Sequence, residues 1–356
     1  MAAGSQRSLN HAVLSRSTTI STPTRILVAG PAWVGDMVMA QSLFITLKQQ
    51  MPDCLIDVVA PTWSVPLLQR MPQVHQAIEL PVGHKQLKLI TRYRLGKLLR
   101  SNRYDRAIVI PRSFKSALIP FFARARQRTG YRGELRYGLI NDMRTLDKGV
   151  LKQTVQRYVA LGYSKSLRAA PPVPYPQLRV DKQNQQALLA RLQLTLDKPV
   201  IGFMPGAEYG PAKQWPMQHY RELAAKLTEQ GNQVWVFGSA KETTLAEDIR
   251  QANAAVINLC GKTTLVDAVD LIALTQTNVT NDSGLMHIAC ASGRPVVAIY
   301  GSSDPTYTPP LSDQAKIIYN KLDCSPCFDR KCRFGHTRCL TEITPQAVLK
   351  LLENEH

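Results

Sequence analysis

Short apolar runs, each followed by a polar loop and a helical pattern, organise the first half of the chain. RILVAG (25–30), LIDVVA (55–60) and RAIVI (106–110) are nearly continuous apolar segments rich in Val and Ile. Such segments are typical of strands that a parallel sheet buries on both faces. Apolar residues recur at helical spacing after these strands and predict helices at 37–50, 86–102 and 114–123. The first half is therefore predicted to be an α/β domain.

The same alternation restarts in the second half. Four more strands are predicted, at 200–206, 234–238, 278–281 and 295–301. The run AAPPVPYPQ (169–177) lies between the two series, and its prolines exclude a helix interior or a central strand, so we interpret it as a linker. Two α/β domains joined in this way face each other across a cleft, and ligands bind such sheets at the carboxyl ends of strands.

These patterns give a division of the whole chain. A final helix should begin with Thr344 as the N-cap and Pro345 in the first turn. Residues 1–24 contain no Asp or Glu and no continuous apolar segment, so they are predicted to be a disordered extension rather than a targeting peptide. The remaining predicted units are an N-terminal domain at 25–168, a linker at 169–180, a C-terminal domain at 181–343 and a C-terminal helix at 344–356.

Charge divides the chain unevenly. Residues 1–180 contain 27 Lys and Arg but 8 Asp and Glu, whereas residues 181–356 contain 17 and 18. A positive field confined to one half indicates a polyanionic partner, such as nucleic acid, an anionic membrane surface or a phosphorylated ligand. Part of the excess could instead be an ordinary solvated face, as in 88–106.

The segment VTNDSGLMHIACASGRPVVAIYGSSDP (279–305) predicts a strand, a helix and a second strand. Asp282 and Ser283 stand where a helix N-cap belongs, and Gly284 allows a ligand to approach the backbone. His287 lies four residues after Ser283, on the same helix face. A helix start at the end of a parallel strand is an anion site, so we predict phosphate binding here. An ordinary crossover with a buried histidine is the alternative.

The loop GPAWVGDM (30–37) has the outer spacing of a P-loop but carries Asp36 in place of the phosphate-binding lysine. A carboxylate there would repel phosphate. At a helix N-terminus the helix dipole keeps a carboxylate ionised, and an ionised carboxylate can accept a proton from a hydroxyl. Asp36 is therefore a candidate general base, with simple helix capping as the alternative.

Two loops of the second half are candidates for nucleotide binding. In PGAEYGPAKQWP (205–216), Gly206 keeps the backbone open and Lys213 could reach a diphosphate as a point charge, unless it is a surface lysine. Glu242, in GSAKETT (238–244), suits hydrogen bonding to ribose hydroxyls. GKTT (261–264) is not a P-loop, because Val256 stands where the first glycine is required.

The seven cysteines fall into two groups. Cys54, Cys260 and Cys290 lie singly in apolar segments and are predicted to be buried fillers. The other four, with His336 among them, could hold zinc or an iron–sulfur cluster, although their spacing matches no standard metal ribbon. Surface thiols and redox-labile pairs are the alternatives for this cluster of Cys324, Cys327, Cys332 and Cys339.

As a set, these motifs resemble the ADP-heptose:lipopolysaccharide heptosyltransferases. The resemblance rests on GPAWVGDMVMAQSL, PGAEYGPAKQWP, VTNDSGLMHIA and RPVVAIYGSSDP, which occur in the right order, and on FKSALIPFFA and RTGYRGELRYGLINDMR. It runs from about Arg25 to Leu352. It implies a GT-B glycosyltransferase fold, with two Rossmann-like domains facing a cleft, and inverting sugar transfer. The cysteine cluster and residues 1–24 are not explained by it.

The resemblance also implies roles for the candidate residues. Asp36 would be the catalytic base and Lys213 the diphosphate-binding lysine. The donor, ADP-L-glycero-β-D-manno-heptose, would bind the C-terminal domain. Its implied contacts are Gly206, Glu242, Asp282, Ser283, Gly284 and His287. The N-terminal domain would bind the acceptor, and the basic residues near its predicted strand ends are candidate contacts: Arg112, Lys115, Arg128 and Arg132.

The implied reaction adds a heptose to the first heptose of the lipopolysaccharide inner core, at the cytoplasmic face of the inner membrane. A sister enzyme of the family with another core acceptor is the nearest alternative. No bound cofactor is required, though Mg²⁺ could assist with Asp282 as a ligand. An NAD-dependent enzyme would need a GxGxxG after a strand, and none is present. A nucleic-acid-binding protein would need a recognisable module or an aromatic-interleaved basic stripe, which the sequence lacks.

Overall fold

The computed structural model describes residues 23–83, 86–251 and 253–353. The predicted extension at 1–24 lies almost wholly outside the described residues, as do the last three residues of the predicted segment 344–356. Six parallel strands of the first half form one sheet in the order β3-β2-β1-β4-β5-β6. They are β1 (Arg25–Ala29), β2 (Leu55–Pro61), β3 (Val74–Leu80), β4 (Arg106–Val109), β5 (Gln127–Tyr131) and β6 (Asp142–Arg144).

Helices cover this first sheet because each crossover must return the chain to the start of the next parallel strand. They are α1 (Val34–Gln50), α2 (Val65–Gln69), α3 (Leu89–Leu98), α4 (Leu118–Phe122) and α5 (Thr154–Ala160). The central strands pair in register, with Val28 opposite Val58 on one side and Ile108 on the other. These three side chains are fully buried, which confirms the strands predicted from apolar runs.

The second half repeats the plan. Its six parallel strands lie in the order β12-β11-β10-β7-β8-β9. They are β7 (Val200–Met204), β8 (Gln233–Val236), β9 (Val256–Asn258), β10 (Thr277–Asn281), β11 (Val296–Tyr300) and β12 (Ala315–Tyr319). The helices are α6 (Lys182–Leu192), α7 (Met217–Glu229), α8 (Thr243–Arg250), α9 (Leu265–Ile272), α10 (Gly284–Ala291), α11 (Arg338–Thr341) and α12 (Pro345–Glu353).

Two parallel sheets flanked by helices confirm the predicted α/β class. Residues 165–181, which include the Pro-rich run, carry neither helix nor strand. The Thr344 hydroxyl accepts a hydrogen bond from the Ala347 amide at 3.2 Å, as an N-cap side chain does. Helix α12 packs back on α7 and β11, so it covers the second sheet.

Helices from the two halves meet at their N-termini. A Cβ on Gly35, in α1, would lie 2.7 Å from the His287 ring in α10, and one on Gly284 would lie 2.8 Å from Cβ of Val34. Only glycine permits this approach, because real Cβ atoms do not pack so closely. The two helix N-termini, each with a positive end of its dipole, therefore converge between the sheets.

A buried ion pair also joins the halves. Arg70, which follows α2, donates two hydrogen bonds to Asp270 of α9, at 2.9 and 2.7 Å. Asp270 is fully buried and also accepts from the backbone amide of Asp181. This pair fixes the first sheet to the second at the side where the linker runs.

None of the helices in the described ranges combines the length and the hydropathy that spanning a bilayer requires.

Candidate active site

A cavity of about 890 Å³ lies between the two sheets. Its walls come from the carboxyl ends of strands in both halves, as ligand sites in parallel sheets do. The volume is within the range of small-molecule sites. The candidates that line it are Asp36, Gly206, Lys213, Glu242, Asp282, Ser283, Gly284 and His287. All eight predicted catalytic and donor-site residues therefore reach one cavity.

Asp36 enters the cavity from the first turn of α1. Its Oδ1 accepts a hydrogen bond of 3.0 Å from the hydroxyl of Tyr158, which α5 supplies. Burial raises the pKa of Asp36 above its ordinary value, while the Tyr158 hydrogen bond and the Lys213 charge oppose the rise. The prediction from sequence rested on the helix dipole, which favours ionisation, and did not include this desolvation. A raised pKa brings the carboxylate closer to the range in which a general base is effective.

The loop that carries Lys213 is held at both ends by Asn281, the last residue of β10. The Asn281 amide donates to the Pro205 carbonyl at 2.6 Å, and its oxygen accepts from the Trp215 amide at 3.0 Å. Between these points Lys213 Nζ contacts Asp282 Oδ2 at 2.5 Å. Both side chains are largely buried, so the ion pair is fixed in the cavity wall. An ammonium has three donors, so Lys213 can contact a further anion while it stays paired with Asp282.

The N-terminus of α10 opens on the same cavity. Ser283 is the N-cap residue, but its side chain makes no capping hydrogen bond. His287 is buried, and its Nδ1 has no hydrogen-bond partner within the described ranges. Burial lowers the pKa of His287 to about 4, with Lys213 adding to the effect and Asp282 opposing it. The ring is therefore neutral at physiological pH, and it lies near the start of α10, where phosphate binding is predicted.

Glu242 closes the far side of the cavity. Its Oε2 accepts hydrogen bonds from the Ser239 amide at 2.7 Å and from the Ser239 hydroxyl at 2.5 Å. Its side chain also packs on Gly206, where an added Cβ would lie 3.0 Å from Glu242 Cγ. Both residues line the cavity. This position is suited to the predicted hydrogen bonds with ribose hydroxyls.

The four basic candidates for acceptor binding lie outside this lining. Arg112 and Arg132 are exposed beside each other after β4 and β5, and Arg112 Nε donates to the Arg132 carbonyl at 3.2 Å. Lys115 follows in the same loop. Arg128 differs, because its guanidinium donates to the carbonyls of Ala125, Gly138 and Leu139. The Arg128 side chain therefore stabilises the backbone of this region, and its role in acceptor binding stays a prediction.

The clustered cysteines lie together behind the Lys213 loop. Cys324, Cys327, Cys332 and Cys339 surround a cavity of about 20 Å³ with His336. Burial and the neighbouring thiols raise the pKa of Cys339 to about 11. Across the described ranges, no three or more His, Cys, Asp or Glu side chains are grouped so as to hold a metal ion. The three other cysteines, Cys54, Cys260 and Cys290, are buried, which confirms the prediction for them.

The segment that carries these cysteines, residues 324–339, is called the cysteine segment, and it braces the Lys213 loop. The amide of Ala212 donates to the Arg330 carbonyl at 3.1 Å, and the Tyr209 hydroxyl donates to the Phe328 carbonyl at 2.6 Å. A Cβ on Gly210 would collide with the Arg330 carbonyl oxygen. The guanidinium of Arg330 and the ammonium of Lys213 lie 5.2 and 5.0 Å from the centre of the Tyr209 ring.

Sequence reasoning missed two parts of the site. Tyr158 is 122 residues from Asp36 and belongs to no motif, so only the packing of α5 on α1 reveals it. Thr263 and Thr264 line the cavity at the start of α9, within the GKTT segment. This segment is not a P-loop. Thr264 and Asp267 form an N-cap pattern, and that pattern is the sequence signal that marks a helix start beside the site.

Comparison with known proteins agrees with this geometry. The family model described as "Glycosyltransferase family 9 (heptosyltransferase)" matches residues 92–338 of this chain. Lipopolysaccharide heptosyltransferase 2 of Salmonella typhimurium (strain LT2) is 50% identical over 345 residues, which cover 93% of this chain and 98% of the relative.

Solved structures give the same result. E. coli ADP-heptose lipopolysaccharide heptosyltransferase II is 47% identical, with a TM-score of 0.83, over 93% of this chain and 98% of that one. E. coli heptosyltransferase WaaC, solved with ADP-2-deoxy-2-fluoro heptose, shares the fold at 21% identity and a TM-score of 0.68, over 94% of this chain and 100% of that one. The predicted GT-B fold is thereby confirmed. The chain belongs to glycosyltransferase family 9, the heptosyltransferases.

Proposed function

We propose that this enzyme transfers L-glycero-D-manno-heptose from ADP-heptose to the first heptose of the lipopolysaccharide inner core, with inversion at the anomeric carbon. One observation supports this most directly. Asp36 of the first half and the Lys213–Asp282 pair of the second half line the same cavity. A proton acceptor on one wall and an anion site on the other suit a displacement between two bound sugars.

In the proposed displacement, the acceptor hydroxyl attacks the anomeric carbon from the face opposite ADP. A new C–O bond forms as the bond to the diphosphate oxygen breaks, through an oxocarbenium-like state. Asp36 takes the hydroxyl proton, and ADP leaves with the electron pair of the broken bond. The raised pKa of Asp36 makes it a stronger proton acceptor than an exposed carboxylate.

The departing diphosphate gains negative charge, and two features of the second half face it. Lys213 supplies a positive charge in a largely buried position, and the α10 N-terminus supplies backbone N–H groups near Ser283 and Gly284. Groups fixed in advance where charge develops stabilise a transition state efficiently. Gly206 and Glu242 would hold the nucleoside, and His287, which lines the cavity beside them, would contact the donor.

The acceptor is a lipid with Kdo carboxylates and lipid A phosphates, and the first half carries the positive excess that would attract it. Arg112, Lys115, Arg128 and Arg132 remain the proposed contacts. The enzyme would work at the cytoplasmic face of the inner membrane. The proposed displacement needs neither a bound cofactor nor Mg²⁺, because Asp282 is already paired with Lys213, which serves the diphosphate. We expect EDTA to leave turnover unchanged.

The test is to incubate pure protein with ADP-heptose and lipid acceptors that carry zero, one or two heptoses, and to weigh the products. We expect a gain of one heptose on the one-heptose acceptor alone, with an α-linkage in the NMR spectrum of the product. A gain on the zero- or two-heptose acceptor would favour a sister reaction. A retained β-linkage would reject inversion, and no gain on any acceptor would reject the proposal.

A further inference from the structure

Three loops of the first half leave the sheet at one edge, beside the cavity. They follow β3, β4 and β5, which are parallel, so their carboxyl ends share that edge. The buried guanidinium of Arg92, in α3, connects two of them. It donates to the Leu87 carbonyl at 2.7 Å and to the Lys115 carbonyl at 3.3 Å.

Glu134 joins the third loop to the second. Its amide donates to the Arg112 carbonyl at 3.2 Å, and its carboxylate accepts from the Phe114 amide at 2.7 Å. The loops after β3, β4 and β5 therefore form one continuous surface. The loops after β1 and β2 reach the same edge and line the cavity with Trp33 and Trp63. This surface is thus an extension of the cavity's first-half wall.

Large apolar side chains are exposed along that surface. We call them the apolar rim: Leu87, Leu89, Ile90, Phe114 and Leu135, with exposures of 48, 48, 67, 38 and 80%. Single exposed apolar residues are common on protein surfaces, but five along one edge with fixed loops are not. Water would be a poor partner for such a surface, which indicates contact with an apolar phase.

Positive charge surrounds the apolar rim. The segments that carry the rim, 86–90, 111–116 and 132–137, contain five Lys and Arg and one carboxylate, Glu134, which is engaged by the Phe114 amide. Lys88, Arg112 and Arg132 are exposed within the same loops. An exposed aliphatic edge bordered by cations matches the interface of an anionic bilayer, where apolar side chains enter the headgroup region and cations contact phosphates. Four of the five rim residues are aliphatic and have no ring to stack on nucleic acid bases.

We propose that the apolar rim docks this enzyme on an anionic lipid bilayer, with the cavity mouth turned toward the membrane. The inference rests on the proposed function in one respect: the proposed acceptor is carried by a lipid, so docking on a bilayer brings the enzyme to its acceptor. The rim enters the headgroup region, and Lys88 and its neighbours contact lipid phosphates.

Helix α3 provides a matched pair of variants. Ile90 lies in its first turn, at the rim, and Leu98 in its last, at the opposite sheet edge, with exposures of 67 and 72%. The two residues are eight positions apart, about 12 Å along the helix. Ile90→Gln and Leu98→Gln remove similar exposed apolar area without changing charge. Lys88→Gln and Arg124→Gln form the corresponding charge pair, since Arg124 is exposed near the start of β5, at the other edge.

The full chain is sedimented with phosphatidylcholine vesicles, with or without phosphatidylglycerol, at low and high salt. We expect binding to the mixed vesicles alone, and weaker binding at high salt, because salt screens exposed charges. Ile90→Gln should weaken binding about tenfold, since it removes one buried apolar side chain from the interface. Lys88→Gln should weaken it less, and both control variants should bind as the unchanged protein does.

Equal binding to both vesicle types would overturn the proposal, as would equal losses in Ile90→Gln and Leu98→Gln. Turnover on a delipidated one-heptose core oligosaccharide separates this from the proposed function. There we expect Ile90→Gln to match the unchanged protein, because Ile90 lies outside the cavity lining. Failure of the unchanged protein on both this oligosaccharide and the lipid acceptors would reject the proposed function, whereas the vesicle result alone decides the docking surface.

Discussion

At the scale of single residues, the site depends on polar side chains that the fold removes from water. Asp36 acquires a raised pKa, His287 a lowered one, and Lys213 and Asp282 neutralise each other in a largely buried pair. Each arrangement has a cost in stability or is balanced by a specific partner. Substitutions that conserve shape but change charge therefore test function and stability together.

Replacement of Asp36 by Asn should abolish transfer and stabilise the fold. Loss of a general base typically costs about 10²–10⁴ in rate. A carboxyl whose pKa is raised by folding favours the folded state below its unfolded pKa, and that contribution is lost as pH rises, so the ionised group is a cost at neutral pH. The checks are turnover, ADP affinity by calorimetry and the thermal midpoint at pH 7. Near-normal turnover would remove Asp36 from the mechanism.

Tyr158→Phe should move the acid limb of the kcat/KM profile to higher pH. The Tyr158 hydroxyl lowers the pKa of Asp36, so its removal leaves more of the raising effect of burial uncompensated. The base would then be protonated, and inactive, up to a higher pH. Tyr131→Phe is the matched control, because the Tyr131 hydroxyl donates to the Arg157 carbonyl of the same helix α5. A similar shift in both variants would contradict a specific effect on Asp36.

Lys213→Ala should raise KM for ADP-heptose and lower kcat, because the diphosphate gains charge during the reaction. Lys213→Arg should recover activity only in part, since a planar guanidinium does not replace a compact ammonium. Lys241→Ala is the control within the same cavity, where Lys241 Nζ is held by Glu208 at 2.8 Å. If Lys213→Ala retains both constants, Lys213 does not serve the diphosphate.

At the scale of elements, the cavity depends on how helices and loops are held at the sheet edges. Asn281 fixes both ends of the Lys213 loop, and the cysteine segment supports its middle through Arg330. Helices α1 and α10 meet through Gly35 and Gly284. Asn281 acts through its side chain, whereas the two glycines act through the absence of one, so the positions of the catalytic groups depend on both.

Gly35→Ala should impair transfer without unfolding the protein. Its new Cβ would lie 2.7 Å from the buried His287 ring, closer than real Cβ atoms come, so the ring or the two helices must shift. That displaces Asp36, the next residue, relative to the donor site. Helix propensity by itself favours Ala over Gly by about 1 kcal/mol, so the substitution should not unfold α1. A variant with raised stability and full turnover would show that the close approach is not needed.

At the scale of the whole molecule, contacts between the two halves surround the cavity, and three of them bear on the site. Gly35 touches α10, Arg70 pairs with Asp270, and the Arg157 guanidinium lies 4.3 Å from the centre of the Tyr307 ring, whose hydroxyl it also contacts. The last contact belongs to α5, the helix that also holds Asp36 through Tyr158. Helix α5 therefore contacts both the second half and Asp36, so a change in the relative position of the halves would also move Asp36.

Arg70→Met should destabilise the protein by about 3 kcal/mol, because it leaves the buried Asp270 carboxylate without its cation. Urea denaturation followed by tryptophan fluorescence measures this. Arg126→Met is the control, since it removes an exposed pair with Asp105 at 4.0 Å, and exposed pairs contribute little. Equal effects of the two substitutions would show that the pair does not hold the halves together.

Much of the architecture follows from local patterns. Apolar runs predicted the buried central strands, and N-cap positions with glycines placed Asp36 and Ser283 at helix starts. The strands that were not predicted, such as β3 and β12, are partly exposed, so their sequences mix polar and apolar residues and lack a clear period. Sequence alone determined where each motif lies on its own element.

Tertiary structure decided what those motifs contact. Tyr158 contacts Asp36 although the two are 122 residues apart in sequence, and no local sequence pattern predicts that contact. The raised pKa of Asp36 and the lowered pKa of His287 arise from desolvation, which exists only once two sheets enclose the cavity. The apolar rim is likewise a property of loops that become neighbours because parallel strands end at one edge. Local propensity specifies elements, whereas burial and long-range contact specify chemistry.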